Sequence, residues 1–448
     1  MVILDRKVER GVLPVVLERM AEEPVIALEG ARSVGKSTLL RSIAERHAVE
    51  VLDLDDPATR SAVAADPAFH AQGPSPVCID EYQRVPEILD AIKAELNRDT
   101  RPGRFVLTGS TRWNALPRGT QSLTGRLDIV TIRPLCQAEL DESSGLVLGL
   151  IDGSATLRSH NASTTTRADY IERVVAGGFP LALSRTARGR SRWLANHVRN
   201  SLERDVAEIS RIRQAARLPE LFARLASQTG QLLNMARIAG EVGLEERTTH
   251  DYIHLLERLF LIHRLPAWGR TLKARTSAAP KIHLVDSGVA AQVLGLSAER
   301  LASVNPTAQT EFGHLLETFA YGEVAAQAAW LDDVRALGHW RTRDGHEVDL
   351  IIERSDGGVI GIEVKASGRI TDRDFAGLRK LRGLVGDDFV TGVVLHTGQH
   401  TYAADEKLHG IPLDRLWEGQ VARESILTPP FSFDAGEQMP VDACEQSY

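Results

Sequence analysis

Long apolar runs are missing from this sequence, and so are a cysteine framework and an excess of positive charge. No apolar stretch reaches the length needed to span a bilayer. The opening "MVILDRKVERGVLPVV" carries charges within its first ten residues and has no apolar core followed by a small-residue cleavage site, so neither membrane insertion nor secretion is expected. The three cysteines, Cys78, Cys136 and Cys444, are far apart and form neither a metal-ligand pattern nor a disulfide framework. That usage predicts a reducing, cytoplasmic setting. A formal net charge of −7 excludes a global basic field, so contact with nucleic acid would have to come from local patches. At 448 residues the chain is too long for one ordinary core, which predicts two to four domains.

Several punctuated patterns are present. Over the first 140 residues, short β-branched runs alternate with helical stretches: "VIALEG", a helix from about Lys36, "VEVLDLDD", "PVCIDE", a helix from about Pro86, "RFVLTGS" and "LDIVTI". This alternation predicts a parallel α/β sheet. Residues 141–168 are rich in Ser, Thr and Gly and read as a long exposed connection. Helical periodicity dominates from Tyr170 to about Leu265 and strands and helices mix again from about Lys281; the domains are placed at 169–300 and 301–424, and 425–448 reads as a loosely held tail.

The clearest chemistry lies in "GARSVGKST", residues 30–38, which follows a predicted strand and opens a predicted helix. Glycines at Gly30 and Gly35 let the backbone N–H groups of Ala31, Arg32, Ser33 and Val34 curl around phosphate oxygens. Lys36 reaches the terminal phosphates, Ser37 offers its hydroxyl to Mg²⁺, and Thr38 continues the helix start. "PVCIDEY" ends a strand on Asp80 and Glu81, where the aspartate serves the magnesium and the glutamate orients or deprotonates a water. "LTGS" puts Thr108 and Ser110 at the end of another strand, within expected reach of the γ-phosphate or that water. Arg126 in "SLTGRLDIV" is either a charge-stabilising arginine, acting on its own or a neighbouring subunit's site, or an ordinary surface residue.

Two further regions carry candidates. "LLNMARIAGEVGLEERTTHDYIHLLERLFLIHRL" has helix-turn-helix spacing, with a turn at Gly243 and an inward stripe of Tyr252, Ile253, Leu256, Leu259 and Phe260. Arg247, Thr248, Thr249 and His250 would then point outward, either toward DNA or within a purely packing role, since Glu245 and Glu246 beside them repel phosphates. "SRTARGRSRW" offers Arg185, Arg188, Arg190, Arg192 and Trp193 for phosphate contact and base stacking, or as a solvated face. "WGRTLKART" adds Arg270, Lys273 and Arg275 on a loop. Later, "EVDLIIERSDGGVIGIEVKASG" frames two strands around a turn. Glu363 and Lys365 share a face, and an Asp356-Gly357-Gly358 loop would pair Asp349 with Lys365 and bring all three groups to one side. An even-length loop would separate them.

The series "GARSVGKST", "VCIDEYQRVPEI", "FVLTGSTRWNAL", "SLTGRLDIVTIRPL", "YIERVVAGGFPLAL", "SLERDV", "KIHLVDSGVAAQVLG" and "GHLLETFAYGEV" resembles AAA+ class ATPases of bacteria and archaea whose C-terminal half is known only as a domain of unknown function. The resemblance implies a P-loop AAA+ parallel-sheet ATPase domain, a helical or winged-helix middle region and an α/β restriction-endonuclease-like C-terminal domain. It also implies ATP, Mg²⁺ and a homo-oligomer, with a hexamer the first expectation. Ser110 stands where an asparagine is common in such proteins. The C-terminal set further resembles the PD-(D/E)xK nuclease superfamily, with Glu317 as its additional helix carboxylate beside Asp349, Glu363 and Lys365, and with Val348 in place of the superfamily's proline. The expectation is a Mg²⁺-dependent ATPase that remodels or moves along DNA and whose C-terminal domain binds or cuts it. The alternative is an ATP-dependent switch acting on a protein partner through a non-catalytic C-terminal domain.

Overall fold

The computed structural model describes residues 4–113, 123, 125–155, 157, 162–206, 215–271, 275 and 278–418. Lys273, Cys444 and the tail 425–448 lie outside them. Within the first 131 residues, β1 (Val25–Glu29), β2 (Val51–Asp53), β3 (Val77–Asp80), β4 (Phe105–Gly109) and β5 (Leu127–Thr131) form an all-parallel sheet in the order β2-β3-β4-β1-β5. Alternation along each strand explains why it is covered on both sides. Ile26 and Leu28 of β1 enter one core with Val106, whereas Val25 and Ala27 enter another with Phe105 and Leu107. Because β3, β4 and β1 are neighbours, their C-terminal ends meet at one edge, the usual place for a ligand crevice in such a sheet.

The stretch expected to be an exposed connection is largely packed instead. Helix Val147–Asp152 buries Val147, Leu150 and Ile151. The Leu146 N–H donates to the Leu416 carbonyl (3.1 Å), the Val147 N–H to Gln327 Oε1 (3.1 Å), and the Ser163 N–H to the Gln399 carbonyl (2.8 Å). The apolar run "LVLGLI" within a Ser/Thr-rich segment needs cover, and the C-terminal region supplies it.

The middle region contains helices Arg167–Ala176, Ala187–Asn200, Leu218–Ala226, Met235–Val242 and Glu246–Arg258. With them is a small antiparallel sheet of β6 (Gln231–Leu232), β7 (Ile262–Leu265) and β8 (Lys281–Leu284), in which β8 is central. Helices Met235–Val242 and Glu246–Arg258 are joined through Gly243 at φ 69°, a left-handed turn that glycine adopts without a Cβ penalty. Tyr252, Ile253, Leu256, Leu259 and Phe260 are all buried, as the stripe predicted.

Beyond the 23-residue helix Pro306–Ala328 comes a mixed sheet in the order β13-β14-β12-β11-β10-β9: β9 (Val334–Arg341), β10 (Glu347–Arg354), β11 (Val359–Lys365), β12 (Phe389–His396), β13 (Tyr402–Ala403) and β14 (Leu408–Pro412). Strand β11 is parallel to β12 and antiparallel to β10. The regions share one core, in which Val16, Ile238 and Ile362 belong to the same apolar cluster. Backbone bonds stitch them as well: Trp268 N–H to the His339 carbonyl (2.6 Å) and His339 N–H to the Pro266 carbonyl (3.0 Å). Glu323 of the long helix accepts the Gln137 N–H at 2.8 Å.

The β10–β11 hairpin differs from the expected register. Ile351 pairs with Gly361 rather than Glu363, and Arg354 N–H donates to the Gly358 carbonyl (2.8 Å), closing a three-residue loop of Ser355, Asp356 and Gly357. The loop is odd, as predicted, but begins one residue earlier. Gly357 takes the left-handed position at φ 90°, and the Asp356 carboxylate accepts the Gly358 N–H at 2.9 Å, which fixes the turn there. Continued one step, this register sets Asp349 across from Glu363, with Lys365 on the diagonal.

Candidate functional site: a phosphate loop and a carboxylate–lysine centre

Strand β1 ends at Glu29 and the chain turns through Gly30–Gly35 into helix Lys36–Arg46. Gly35 sits at φ 102° and Ser33 at φ 66°, the backbone reversals that point successive N–H groups inward. A Cβ on Gly30 would come within 2.2 Å of the Ile132 carbonyl oxygen, so only glycine lets the loop pass the exit of β5. Lys36 Nζ donates to the carbonyls of Gly30 (2.9 Å) and Ala31 (3.0 Å) and is buried. Burial holds its pKa below the ordinary lysine range, while Glu81 and Asp80 oppose that fall. Ser37 is half-buried and Thr38 exposed at the helix start.

Around the loop the acidic strand end is tightly organised. Thr108 donates to Asp80 and accepts the Glu81 N–H at 3.1 Å. Glu81 has φ 54°, and its Oε2 accepts from Ser110 (3.1 Å) and from Gln83. Gln83 also reaches Ser110 at 3.2 Å. The donor set fits a magnesium triphosphate: an inward-turned loop, a lysine, a hydroxyl at Ser37 and an aspartate at the adjoining strand end.

Several contributors escaped the sequence reading. Arg10 donates to the Val34 carbonyl (2.7 Å), the Arg133 carbonyl (2.7 Å) and Glu139 (2.9 Å), tying the loop to the exit of β5. Glu29 accepts the Trp113 N–H at 2.9 Å, and burial raises its pKa. Arg32 faces Asp205 at 3.5 Å, which brings the "SLERDV" segment over the loop. His197 also feels Arg32 and Lys36. Arg10, Glu29 and His197 lie outside "GARSVGKST" and "PVCIDEY", and the Arg32–Asp205 contact joins two motifs that are far apart in the chain. Arg126 is placed differently from one of its expected roles. The register Val25↔Leu127 puts it at the N-terminal end of the strands, opposite the phosphate loop, where it donates to Asn97 Oδ1 at 2.9 Å. A four-residue rise of roughly 13 Å separates it from its own loop, so it does not serve that site.

The C-terminal candidates do come together, with an unexpected member. Lys281 Nζ donates to Glu317 Oε1 and Asp349 Oδ1, both at 2.7 Å. Asp349 Oδ2 accepts the Val364 N–H at 2.9 Å, and Lys365 donates to Glu363 Oε1 at 2.7 Å. Lys281, Asp349 and Glu363 are 4–5% exposed, while Lys365 reaches partly into solvent. Burial works against the Lys281 charge, yet Asp349 and Glu317 more than offset it and raise its pKa. Burial, then the Asp349 charge, pushes Glu363 up to about 8. Among the described residues, no group of three His, Cys, Asp or Glu side chains is arranged to hold a metal ion. A divalent metal does not fit the residues present here, because Lys281 stands between the carboxylates.

Comparison with known proteins agrees with the phosphate-loop geometry. Residues 22–141 match the profile of an AAA domain. Over these residues the chain is similar to AAA domains. Residues 167–300 and 312–416 match two domains of unknown function, DUF8612 and DUF4143. Uncharacterized proteins of Mycobacterium tuberculosis and Mycobacterium bovis are each 26% identical over 396 residues, covering 88% of this chain and 81% of theirs. Among solved structures, a Walker-type ATPase of Pyrococcus abyssi overlaps 63% of this chain and 94% of its own, at 14% identity and a TM-score of 0.37. The Holliday junction branch migration motor RuvB of Thermotoga maritima overlaps 59% and 92%, at 19% identity and a TM-score of 0.28.

Outside the AAA domain, the basic candidates divide. Arg188, Arg192 and Arg247 are exposed and Thr248 is half-buried. Arg190 is buried, facing the Ala182 carbonyl, with Glu172 and Asp286 as its nearest charges, so it is a packing residue and not a phosphate contact. Trp193 stacks on His197 (4.9 Å between rings) and lies against Phe179, which removes it from base stacking. Thr249 is buried and donates to the Glu245 carbonyl, because helical spacing turns it inward with Tyr252 and Ile253. Arg270 donates to the carbonyls of Leu384 and Val385, and Arg275 pairs with Glu353, so both are engaged by the C-terminal sheet domain. Among the described residues no helix is long and apolar enough to cross a membrane.

Proposed function

We propose that this protein is a Mg²⁺-dependent ATP hydrolase of the AAA class that works on DNA as an oligomer. The observation that carries the hydrolase reading is the cluster of Lys36, Asp80, Glu81, Thr108 and Ser110 at the shared edge of β1, β3 and β4. In this reading the loop N–H groups and Lys36 bind and orient the β- and γ-phosphates. Ser37 and Asp80 would hold magnesium, which would supply neutralising charge to those phosphates. Glu81 accepts a proton from the water that attacks the γ-phosphorus as the bond to the ADP oxygen breaks. Thr108 and Ser110 hold the Asp80–Glu81 pair in place. In an oligomer, Arg126 would face a neighbouring subunit's nucleotide. Lys36→Ala abolishes nucleotide uptake in calorimetry, and Glu81→Gln keeps uptake while lowering turnover about a hundredfold or more. Unimpaired turnover by Glu81→Gln overturns the assignment.

DNA contact rests on Arg188, Arg192 and Arg247. A second reading, a nucleotide switch for a protein partner, draws support from Arg190, Arg270 and Arg275, which spend their charge inside the chain. ATP turnover across single-stranded, duplex and branched DNA at one fixed salt concentration separates the two. Stimulation lost in an Arg188→Ala/Arg192→Ala/Arg247→Ala chain supports DNA; no stimulation by any of them supports the protein partner.

A further inference from the structure

The carboxylate–lysine centre has the side chains of a metal nuclease and one residue too many. Lys281 is no wandering surface lysine. It lies on the central strand β8, paired on one side with Leu232 and on the other with Leu265, so its backbone is fixed from both flanks. Its side chain is buried, and two of its three N–H groups are used on Glu317 and Asp349. The surroundings are built to receive it. Gly230, at φ 73°, leaves room for the Glu317 carboxylate, since a Cβ there would meet Glu317 Oε2 at 3.2 Å. One strand pair along, Thr229, Thr318 and His283 form a second polar seam between the same helix and sheet, with 2.7 Å between the threonine hydroxyls and 3.1 Å from His283 Nδ1 to Thr318.

We infer that Lys281 is the resident cation of this centre, and that its ammonium takes the place of a divalent metal and joins the middle region to the C-terminal domain. Mg²⁺ requires near-octahedral oxygen ligands at about 2.0–2.1 Å. The oxygens of Glu317 and Asp349 that face each other already converge on one nitrogen, and the second Asp349 oxygen is taken by the Val364 N–H. Two ammonium groups, Lys281 and Lys365, already stand against the three carboxyls Glu317, Asp349 and Glu363. A metal would have to evict a buried ammonium, which is costly because an uncompensated charge would be left inside. The C-terminal domain is therefore a charge-locked platform and not a strand-cleaving enzyme.

The test is Mn²⁺ uptake by the nucleotide-free full-length chain, followed by loss of the free-ion paramagnetic signal. Wild type and Asp349→Asn take up Mn²⁺ equally, because the centre holds none. Lys281→Met frees the carboxylates and gains an Mn²⁺ site at least about a hundredfold tighter, and Lys281→Met/Asp349→Asn loses it. Two results overturn the inference: a wild-type Mn²⁺ site that Asp349→Asn removes, or no gain by folded Lys281→Met. Should Lys281→Met fail to fold, a second measurement on wild type decides. Mn²⁺- or Mg²⁺-dependent DNA cleavage that Asp349→Asn abolishes sinks the proposal, and its absence in both proteins upholds it.

Discussion

Gly177 shows how a single position sets the shape of its surroundings. It sits at φ 66°, and a Cβ there would come within 2.1 Å of Asp286 Oδ1. Asp286 in turn accepts the Gly178 N–H (2.7 Å) and caps helix Ser287–Val293 through the Val289 N–H (2.9 Å). Both effects forbid a side chain at this site. Gly177→Ala is expected to lower unfolding stability by about 2 kcal/mol or more in urea melts. Gly295→Ala, a control glycine that is also left-handed but faces open space, is expected to cost less because only the backbone term applies.

At the scale of elements, helix Ala187–Asn200 places His197 beside the phosphate loop. The ring stacks on Trp193 and is buried, and its Nε2 has no hydrogen-bond partner. Burial, then the charges of Arg32 and Lys36, depresses its pKa from 6.5 to about 4. The unfolded chain therefore takes up a proton that the folded chain refuses. The His197 contribution is intact above pH 6.5 and is lost as pH falls toward 4, amounting to about 2 kcal/mol by pH 5. His197→Phe keeps an aromatic ring and removes this proton. Its stability should fall less than that of wild type between pH 7 and pH 5, with tryptophan fluorescence in urea melts as the readout; parallel curves would refute the linkage.

Across the whole molecule, the end of β4 is wired to the middle region. Arg112 follows Ser110 by two residues, donates to the Glu257 carbonyl at 3.0 Å and lies over the Phe260 ring at 4.7 Å. Its own N–H donates to the Arg258 carbonyl at 3.1 Å. A change at Glu81 and Ser110 thus reaches the end of helix Glu246–Arg258 through a few bonds. ATP binding is expected to alter hydrogen exchange over 246–258 in wild type, and Arg112→Ala should weaken that response while leaving nucleotide uptake intact. An identical response in the variant would break the link. The same wiring favours concerted unfolding, since the AAA domain, the middle region and the C-terminal sheet share one apolar core.

Short-range patterns determined much of this protein. The strand–loop–helix at 25–46, the acidic strand end at 80–81 and the inward stripe of 252–260 were legible because each depends on neighbours within one or two turns of chain. Long-range encounters were not legible. Arg126 lies at the far end of its strand because parallel register, which no local motif encodes, sets its height. Arg190 and Thr249 face inward because helix orientation chooses which side is wet. The hairpin loop began one residue early because two adjacent glycines both suited it and only the Asp356 contact chose between them. Lys281 met Glu317 and Asp349 across 36 and 68 residues of chain. The sequence alone supplied the carboxylates and the lysines, and tertiary structure decided that an ammonium would sit among them, because only folding brings a central strand of one domain against the helix and hairpin of another.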